Sequence, residues 1–487
     1  MVIDRLRQGK KMKFIHADSD EFNFPHSPKT LKAIKKIDSE SLQYYSKEQP
    51  LINKLAEKHR ISKDKIFLES GAIGVIHRVF DSILTPEKSV LLSNPGYPYF
   101  HKLSKHHRAN INTYQIKEKK DSFKHDYASI IKGLKQKPAI AVITDPESPL
   151  GCSVPNKRLE EILQESNPET LIFLDQVHEG FRKENIKDIG KLIERYSNLI
   201  IVRSFSKLYG LASARIGYAL CGENVKEMIN YHEKYLGFSN IAQRIAIAAL
   251  ENEEHYENRV KILVSEKEKF RKTINELPEY HAYRTDHISV IIRAPHEQIS
   301  YLEHHAKASN ILFRNLEEYH KILEGNSLKG LIRITLGPKK NNTRIHDLFK
   351  SVAWLFNFKI MNTKPENIRK VINTREAGYT INRQELYFEK SKIPLGYYKV
   401  IIPPGHKVPE HEHKGQDEFF HFLTPTKFKL DNKWLDVKTD TVVNVYAGQK
   451  HAIQAYPDKF VQYLCSRFPY IHEDKLTPKG KKIIHKE

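Results

Sequence analysis

The sequence, 487 residues long, has little of what would place a protein in or beyond a membrane. No apolar run approaches the roughly 18 residues that a membrane-spanning helix needs, so no span is expected. Residues 1–13 are basic but lack the apolar stretch of a secretory signal, and none is expected there. Cysteine is scarce. Cys152, Cys221 and Cys465 lie far apart in apolar or small-residue surroundings and offer neither a disulfide framework nor a zinc spacing. That fits a reducing cytoplasm. Acidic residues are outnumbered, 59 against 80 Lys and Arg, which leaves a formal charge of +21. Such an excess suits a polyanion partner. Here it is spread along the chain, with no helix-turn-helix and no basic arm, so no nucleic-acid partner is expected. A lysine-rich solvated surface whose field also favours small anionic substrates accounts for it better. With 39% hydrophobic residues, the length suffices for two or three domains with cores of their own.

What the chain does have is concentrated near its middle. The apolar run Leu199-Ile200-Ile201-Val202 reads as a buried strand. It leads into Ser204-Phe205-Ser206-Lys207-Leu208-Tyr209-Gly210-Leu211-Ala212-Ser213-Ala214-Arg215-Ile216-Gly217. Ser204, Ser206 and Arg215 can bind an oxyanion, the arginine with two parallel hydrogen bonds. Lys207 is placed to form a Schiff base with an aldehyde. Gly210 lets the backbone come close without a Cβ in the way. One Ser-x-Lys alone reads as a solvated surface turn. The whole set suits a phosphate beside a carbonyl, and pyridoxal 5'-phosphate is an aldehyde carrying a phosphate.

Around this stretch, apolar strand-like runs alternate with amphipathic helix-like runs, which implies an α/β fold with a mostly parallel sheet covered by helices. Helices are expected over 28–36, 49–60 and 73–84, one long helix over 240–276, and a closing helix over 342–356. Strands are expected over 66–68, 89–92, 139–144, 171–174, 199–202 and 216–220, then over 288–293, 311–314 and 331–335. Gly71-Ala72 falls between a strand and a helix, where backbone amides make an anion site and a second wall for the same phosphate. Asp175 ends the strand 171–174, at the carboxyl end where ligands bind in open α/β sheets. Its plain reading is a helix N-cap. Its functional reading is a partner that keeps a pyridinium nitrogen protonated.

On these residues, 14–356 resembles a fold-type I pyridoxal-phosphate enzyme of the class I/II aminotransferases, and within them histidinol-phosphate aminotransferases. The resemblance implies a large α/β/α domain with a small α+β domain. It makes Lys207 the Schiff-base lysine, Ser204, Ser206 and Arg215 phosphate ligands, and Gly71-Ala72 the phosphate loop. Tyr97, in Asn94-Pro95-Gly96-Tyr97-Pro98, matches the aromatic that stacks on the cofactor ring, and Asp175 the pyridine-nitrogen partner. Tyr45 matches a tyrosine that reaches the partner subunit's cofactor phosphate, so a homodimer is implied. Arg333, in Leu331-Ile332-Arg333-Ile334-Thr335, matches the arginine that grips the substrate α-carboxylate. Arg314 stands where relatives acting on phosphorylated substrates place a second arginine. Two departures matter. The family's Asn-Pro-x-Asn-Pro-x-Gly reads Asp145-Pro146-Glu147-Ser148-Pro149-Leu150-Gly151, which puts Ser148 where an asparagine donates to the cofactor's phenolic oxygen. The family's Asp-x-x-Tyr reads Asp175-Gln176-Val177-His178, and His178 becomes the other donor. Carbon–sulfur β-lyases of this fold also resemble Asp-x-x-His at this place, so β-elimination stands beside transamination.

A Lys-, Asn- and Arg-rich linker is expected over 357–378. After it the texture turns to short alternating strands, an all-β unit over 379–487. That unit contains Gly405-x5-His411-x-His413-x4-Glu418 and later Gly448-x2-His451. His411 and His413 share a strand face because the side-chain period is two. Three imidazoles and a carboxylate suit a divalent transition metal: iron, manganese, nickel, copper or zinc. The plainer reading is a polar strand in a chain with 25 histidines. The pattern resembles the two motifs of a cupin β-barrel. It departs from them at Pro425, Tyr446 and Ala455. The expected protein is a cytoplasmic, homodimeric aminotransferase fused to a metal-binding cupin, serving small-molecule biosynthesis. It would use an amino donor and a 2-oxo acid acceptor. A ligand-sensing binding protein with a retired cofactor site is the reading from a different class.

Overall fold

The computed structural model describes residues 14–45, 47–182, 184–186, 188–232, 237–323, 328–356, 368–376, 379–387, 394–468 and 475–476. The chain divides into two compact units. One comprises residues 15–296 and 312–346, the other 1–14, 297–311 and 347–487.

The first unit is built on an eight-stranded sheet. In spatial order its strands are Ile66–Ser70, Ile216–Cys221, Leu199–Ser204, Leu171–Asp175, Ile140–Thr144, Ser89–Asn94, Asn110–Glu118 and Phe123–His125. The five strands from Leu199–Ser204 to Asn110–Glu118 pair in parallel, and Ile216–Cys221 and Phe123–His125 pair antiparallel to their neighbours. The three central strands are apolar on both faces, as a sheet with helices on either side requires, and every residue in them is buried. One core cluster packs Phe67, Phe80, Phe100, Phe173 and Val202 between the sheet and the helices Gly71–Ile83 and Pro98–His106. A smaller sheet of five strands runs in the order Ile15–Ala17, Ile311–Asn315, Leu331–Thr335, Ser289–Arg293 and His281–Tyr283. A large sheet and a smaller one match the large and small domains that the resemblance implies.

The expected long helix over 240–276 is two helices, Asn240–Leu250 and Glu253–Asn275. Asn252 breaks the run with ψ of 40°, and Glu253 and Glu254 open the next helix where its dipole favours acids. The closing helix starts three residues earlier than expected, at Lys339. The structure also holds the strand Asn110–Glu118, the helices Tyr127–Leu134 and Asn156–Gln164, and the helix His296–Ala308.

The second unit is β-rich. Six antiparallel strands form one sheet in the order Ile368–Glu376, Tyr379–Tyr387, Pro394–Ile402, Val461–Phe468, Asp417–Phe422 and Thr441–Val445. A second sheet runs Lys433–Val437, Thr426–Leu430, His451–Gln454, Lys407–His413 and Lys475–Leu476. Among the described residues these ladders do not close into one barrel. Ile368–Glu376, expected in the linker, is a strand paired along its length with Tyr379–Tyr387; the rest of 357–378 lies outside the described residues. Phe420, Phe422, Phe428, Val408, Ile453 and Val461 form the unit's core. Residues 297–311 group with it, and His305 Nε2 lies 2.8 Å from Asp417 Oδ2.

Candidate active site and candidate metal centre

The residues expected to hold a phosphate are brought together by two strands and one helix. Ser204 and Gly217 face each other across the strands Leu199–Ser204 and Ile216–Cys221, as do Ser70 and Ile216 across the next pair. This register brings the Ser204–Ser206 turn beside the start of the helix Gly71–Ile83. Ser204 Oγ donates to Ser206 Oγ at 2.9 Å and accepts from the Ser206 N–H at 3.1 Å. No side chain caps the helix at Ser70, so its first amides stay available to an anion. Gly71 adopts φ of +71°, and a Cβ there would stand 2.4 Å from Arg215 Nη2. A Cβ on Gly217 would stand 2.2 Å from the Gly71 carbonyl carbon. Both glycines are needed for the guanidinium and the helix start to meet. Arg215, exposed in the single chain, also donates from Nη1 to the Ala212 carbonyl at 3.0 Å.

Lys207 is half-buried, and Nζ donates to the carbonyls of Ser19 and Asp20 at 3.3 and 3.0 Å. Loss of water lowers its amine below the usual lysine range; the Asp20 charge opposes this and Arg333 adds to it. A lowered amine is what a nucleophilic lysine requires. Asp175 ends the strand Leu171–Asp175, with Oδ1 accepting from the Val177 N–H at 3.1 Å. Burial raises its carboxyl to about 6, while the Val177 amide and Lys207 pull the other way. Tyr97 begins the helix Pro98–His106, and burial and then Asp175 push its phenol up to about 12. His178 is buried and held neutral by the loss of water, and its Nδ1 has no hydrogen-bond partner. Ser148 is buried in the loop after the strand Ile140–Thr144. An unsatisfied buried imidazole, an uncapped helix start and a cradle that Cβ atoms would fill together fit pyridoxal phosphate.

Arg314 and Arg333 are opposite each other in the register of Ile311–Asn315 and Leu331–Thr335, so their side chains share a face. Arg333 is buried and Arg314 half-buried. Arg314 pairs with Glu318 at 3.1 Å. Tyr45 is not brought to this site; it is 80% exposed on the chain's surface.

The site also contains groups that the sequence reading missed. Asp20 pairs with Arg333 at 2.7 Å, and Ser289 Oγ donates to it. Glu147 is fully buried, accepts from the Leu150 N–H at 2.9 Å through Oε2, and leaves Oε1 unpartnered. Burial raises its carboxyl to about 8. The His287 ring lies 5.4 Å from that of His178, tilted by 45°. The only signal for Glu147 was its place inside the Asp145–Gly151 segment. For Asp20, 315 positions from Thr335, which accepts its N–H, there was none.

In the β-rich unit, His411, His413, Glu418 and His451 are all buried, and their ligand atoms lie within 4.8 Å of one another. His413 Nε2 and His451 Nε2 are 3.3 and 2.7 Å from Glu418 Oε2. None of these three atoms has a hydrogen-bond partner. The far sides of the rings are engaged: His411 Nδ1 with the Pro409 carbonyl at 2.7 Å, His413 Nδ1 with the Gln416 amide at 2.9 Å, and His451 Nδ1 with the Gln449 carbonyl at 3.4 Å. Such outer contacts orient metal-binding imidazoles. Arg467 Nε donates to Glu418 Oε1, which leaves Oε2 for the centre. Burial holds His413 neutral, down to about 4, against the pull of Glu418. Converging, unsatisfied imidazole and carboxylate atoms of this kind fit a divalent transition metal.

The chain matches the family model for aminotransferase class I and II over residues 14–349. It is 29% identical to the histidinol-phosphate aminotransferase of Haloquadratum walsbyi over 255 residues, which is 52% of this chain and 66% of that one, just under two thirds. It is 27% identical to histidinol-phosphate aminotransferase 1 of Bacillus cereus over 350 residues, 70% of this chain and 89% of that one. Its fold is similar to the histidinol-phosphate aminotransferase of Sinorhizobium meliloti in complex with pyridoxal-5'-phosphate. There the TM-score is 0.61 at 21% identity, with 71% of this chain and 92% of that chain covered. The chain belongs to the class I and II aminotransferases, a pyridoxal-phosphate-dependent family.

Proposed function

We propose that this chain is a pyridoxal-phosphate-dependent aminotransferase that moves nitrogen from an amino acid or related amine to a 2-oxo acid. The observation that carries this reading is the convergence of a lowered lysine amine, Lys207, with Asp175 and with two arginines in register, Arg314 and Arg333. Gly71, Ala72, Ser204, Ser206 and Arg215 would hold the cofactor phosphate, Tyr97 its ring face, and Asp175, Ser148 and His178 its edge. When bound, pyridoxal phosphate supplies an aldehyde that captures an amine and a ring that withdraws electrons from the carbon beside it. Lys207 Nζ would hold the cofactor at its aldehyde carbon, and the same amine would take and return the proton at the substrate carbon. Asp175, when ionised, would keep a proton on the ring nitrogen. Arg333 takes the carboxylate of the acid partner, and Arg314 beside it favours substrates with a second anionic group.

The β-rich unit would act as a metal-binding cupin, with three Nε2 atoms and Glu418 Oε2 as ligands. One polypeptide bearing both units suits successive steps of small-molecule biosynthesis, and three buried free thiols suit the cytoplasm. Among the described residues no helix is long and apolar enough to cross a membrane. Leu31, Ile34, Leu42, Tyr44 and Tyr45 leave apolar side chains exposed on the first helices and the turn after them. A second copy would cover them, and Tyr45 would reach its phosphate cradle.

Incubating the loaded enzyme with amino donors and 2-oxo acids, with products read by mass spectrometry, tests the reading. Nitrogen transfer supports it. Release of ammonia and pyruvate replaces it with β-elimination, the alternative that the neutral, unsatisfied His178 favours. No borohydride-trapped label at Lys207 leaves a ligand-binding protein.

A further inference from the structure

Arg333 already holds a carboxylate, and it comes from the chain itself. Asp20 Oδ2 lies 2.7 Å from Arg333 Nη1. Its other oxygen accepts from Ser289 Oγ, which lies 2.8 Å from Thr335 Oγ1. Thr335 Oγ1 in turn accepts the Asp20 N–H at 3.1 Å. Arg333 Nη2 donates to the Asp18 carbonyl at 3.0 Å. Lys207 Nζ donates to the next two carbonyls of the same segment. Residues 18–20 therefore occupy both arms of the guanidinium and the reactive amine together. Asp20, Arg333, Ser289 and Thr335 are all buried.

This differs from an ordinary structural ion pair in two ways. Asp20 has φ of 52°, in the left-handed region that aspartate enters more readily than most residues with a Cβ, and its N–H there is held by Thr335 Oγ1. An incoming carboxylate also binds an arginine best through two parallel hydrogen bonds, and here both Nη atoms are engaged, which leaves only Nε without a partner. Two carboxylates cannot share one buried guanidinium without strong repulsion.

We infer that Asp20 is a specificity-determining residue that competes with the substrate carboxylate for Arg333. A 2-oxo acid or an α-amino acid binds only as the 18–20 segment withdraws. An amine without a carboxylate at that position meets no such competitor. The inference rests on the aminotransferase reading for its meaning, because that reading makes Arg333 the carboxylate grip.

The test is calorimetric titration of the holoenzyme with maleate, an unreactive dicarboxylate, after borohydride trapping and peptide mapping have checked the cofactor on Lys207. Asp20→Asn is expected to bind maleate at least about 10-fold more tightly than the unaltered chain, a change of about 1.4 kcal/mol. The gain should vanish in Asp20→Asn/Arg333→Lys. In turnover, KM for the 2-oxo acid falls while KM for an amine lacking the carboxylate stays put. Equal maleate affinity with and without Asp20, or a gain that survives loss of Arg333, overturns the proposal. A thermal melt checks that Asp20→Asn folds. Where it does not, Ser289→Ala releases one oxygen of the same carboxylate and must move affinity in the same direction by a smaller factor. Failure of trapping at Lys207 refutes the aminotransferase reading separately, since the maleate titration compares only Asp20 and Arg333.

Discussion

At the scale of single residues, Lys207 Nζ is held by the carbonyls of Ser19 and Asp20, with its amine lowered by burial. Lys207 stood out because a lysine followed two hydroxyls at the end of an apolar strand, and Asp175 because it ended another. Both strands are where that pattern put them. Lys207→Ala is expected to abolish borohydride-trapped label in the 199–217 peptide and to lower turnover by about 10²-fold or more, the range of lost acid–base catalysis. Label retained in that variant would move the reactive amine elsewhere. Glu147 was invisible because its behaviour comes from complete burial, not from its neighbours in sequence. Its carboxyl, at about 8 when folded, keeps its proton while the unfolded chain has released it. The folded state thus binds the extra proton between about 4.5 and 8, so this residue makes stability fall as pH rises through that window. Glu147→Gln should match the unaltered chain near the bottom of the window and exceed it at the top by a few kcal/mol, on the order of 1.4 per unit of the raised range. Urea unfolding of both proteins at two pH values measures the difference. A gap that does not grow with pH would mean that Glu147 is charged and paired when folded.

At the scale of elements, apolar periodicity gave the central sheet because strands buried on both faces are continuous apolar runs. It was less informative at the edge. Asn110–Glu118 has only two buried positions, so its run of Asn, Thr, Gln, Lys and Glu did not read as a strand. The break at Asn252 was hidden because acidic, helix-favouring residues continue on its far side. The proposed phosphate cradle depends on one strand register. Gly217 is opposite Ser204, and the helix start at Gly71 rests where a Gly217 side chain would be. Gly217→Ala forces backbone, not a pliable side chain, to move. It should weaken pyridoxal-phosphate affinity by about 10-fold or more, the scale of one lost charge-assisted contact of roughly 1.4 kcal/mol or more. Melting temperature in the absence of cofactor separates lost binding from lost fold. Unchanged affinity would show that the helix start does not line the cofactor site.

At the scale of the whole molecule, the two units invite separate tests. The proposed metal would sit among His411, His413, Glu418 and His451, and chelation would remove the charge that holds these four buried groups together. The β-rich unit should then unfold at lower temperature while label at Lys207 is unaffected. Glu418→Gln should mimic chelation and be insensitive to added metal. A chelator with no effect on unfolding would reduce the cluster to a polar core.

Assembly is the property that a single chain displays least, because an interface looks like surface until its partner arrives. Leu42, Tyr44 and Tyr45 are 70%, 67% and 80% exposed, a concentration of apolar side chains unusual for a free surface. Tyr45 can be a cofactor residue only in a dimer, where it would approach the partner's phosphate. Light scattering should therefore report twice the mass of one chain, and Leu42→Glu/Tyr45→Glu should return it to one. The conservative Tyr45→Phe should keep the dimer but weaken cofactor binding, since only the hydroxyl that would meet the phosphate is lost. That split tells the two roles of the patch apart: mass follows the apolar area, and affinity follows one oxygen. A monomer that binds pyridoxal phosphate as tightly as the unaltered protein would remove Tyr45 from the site.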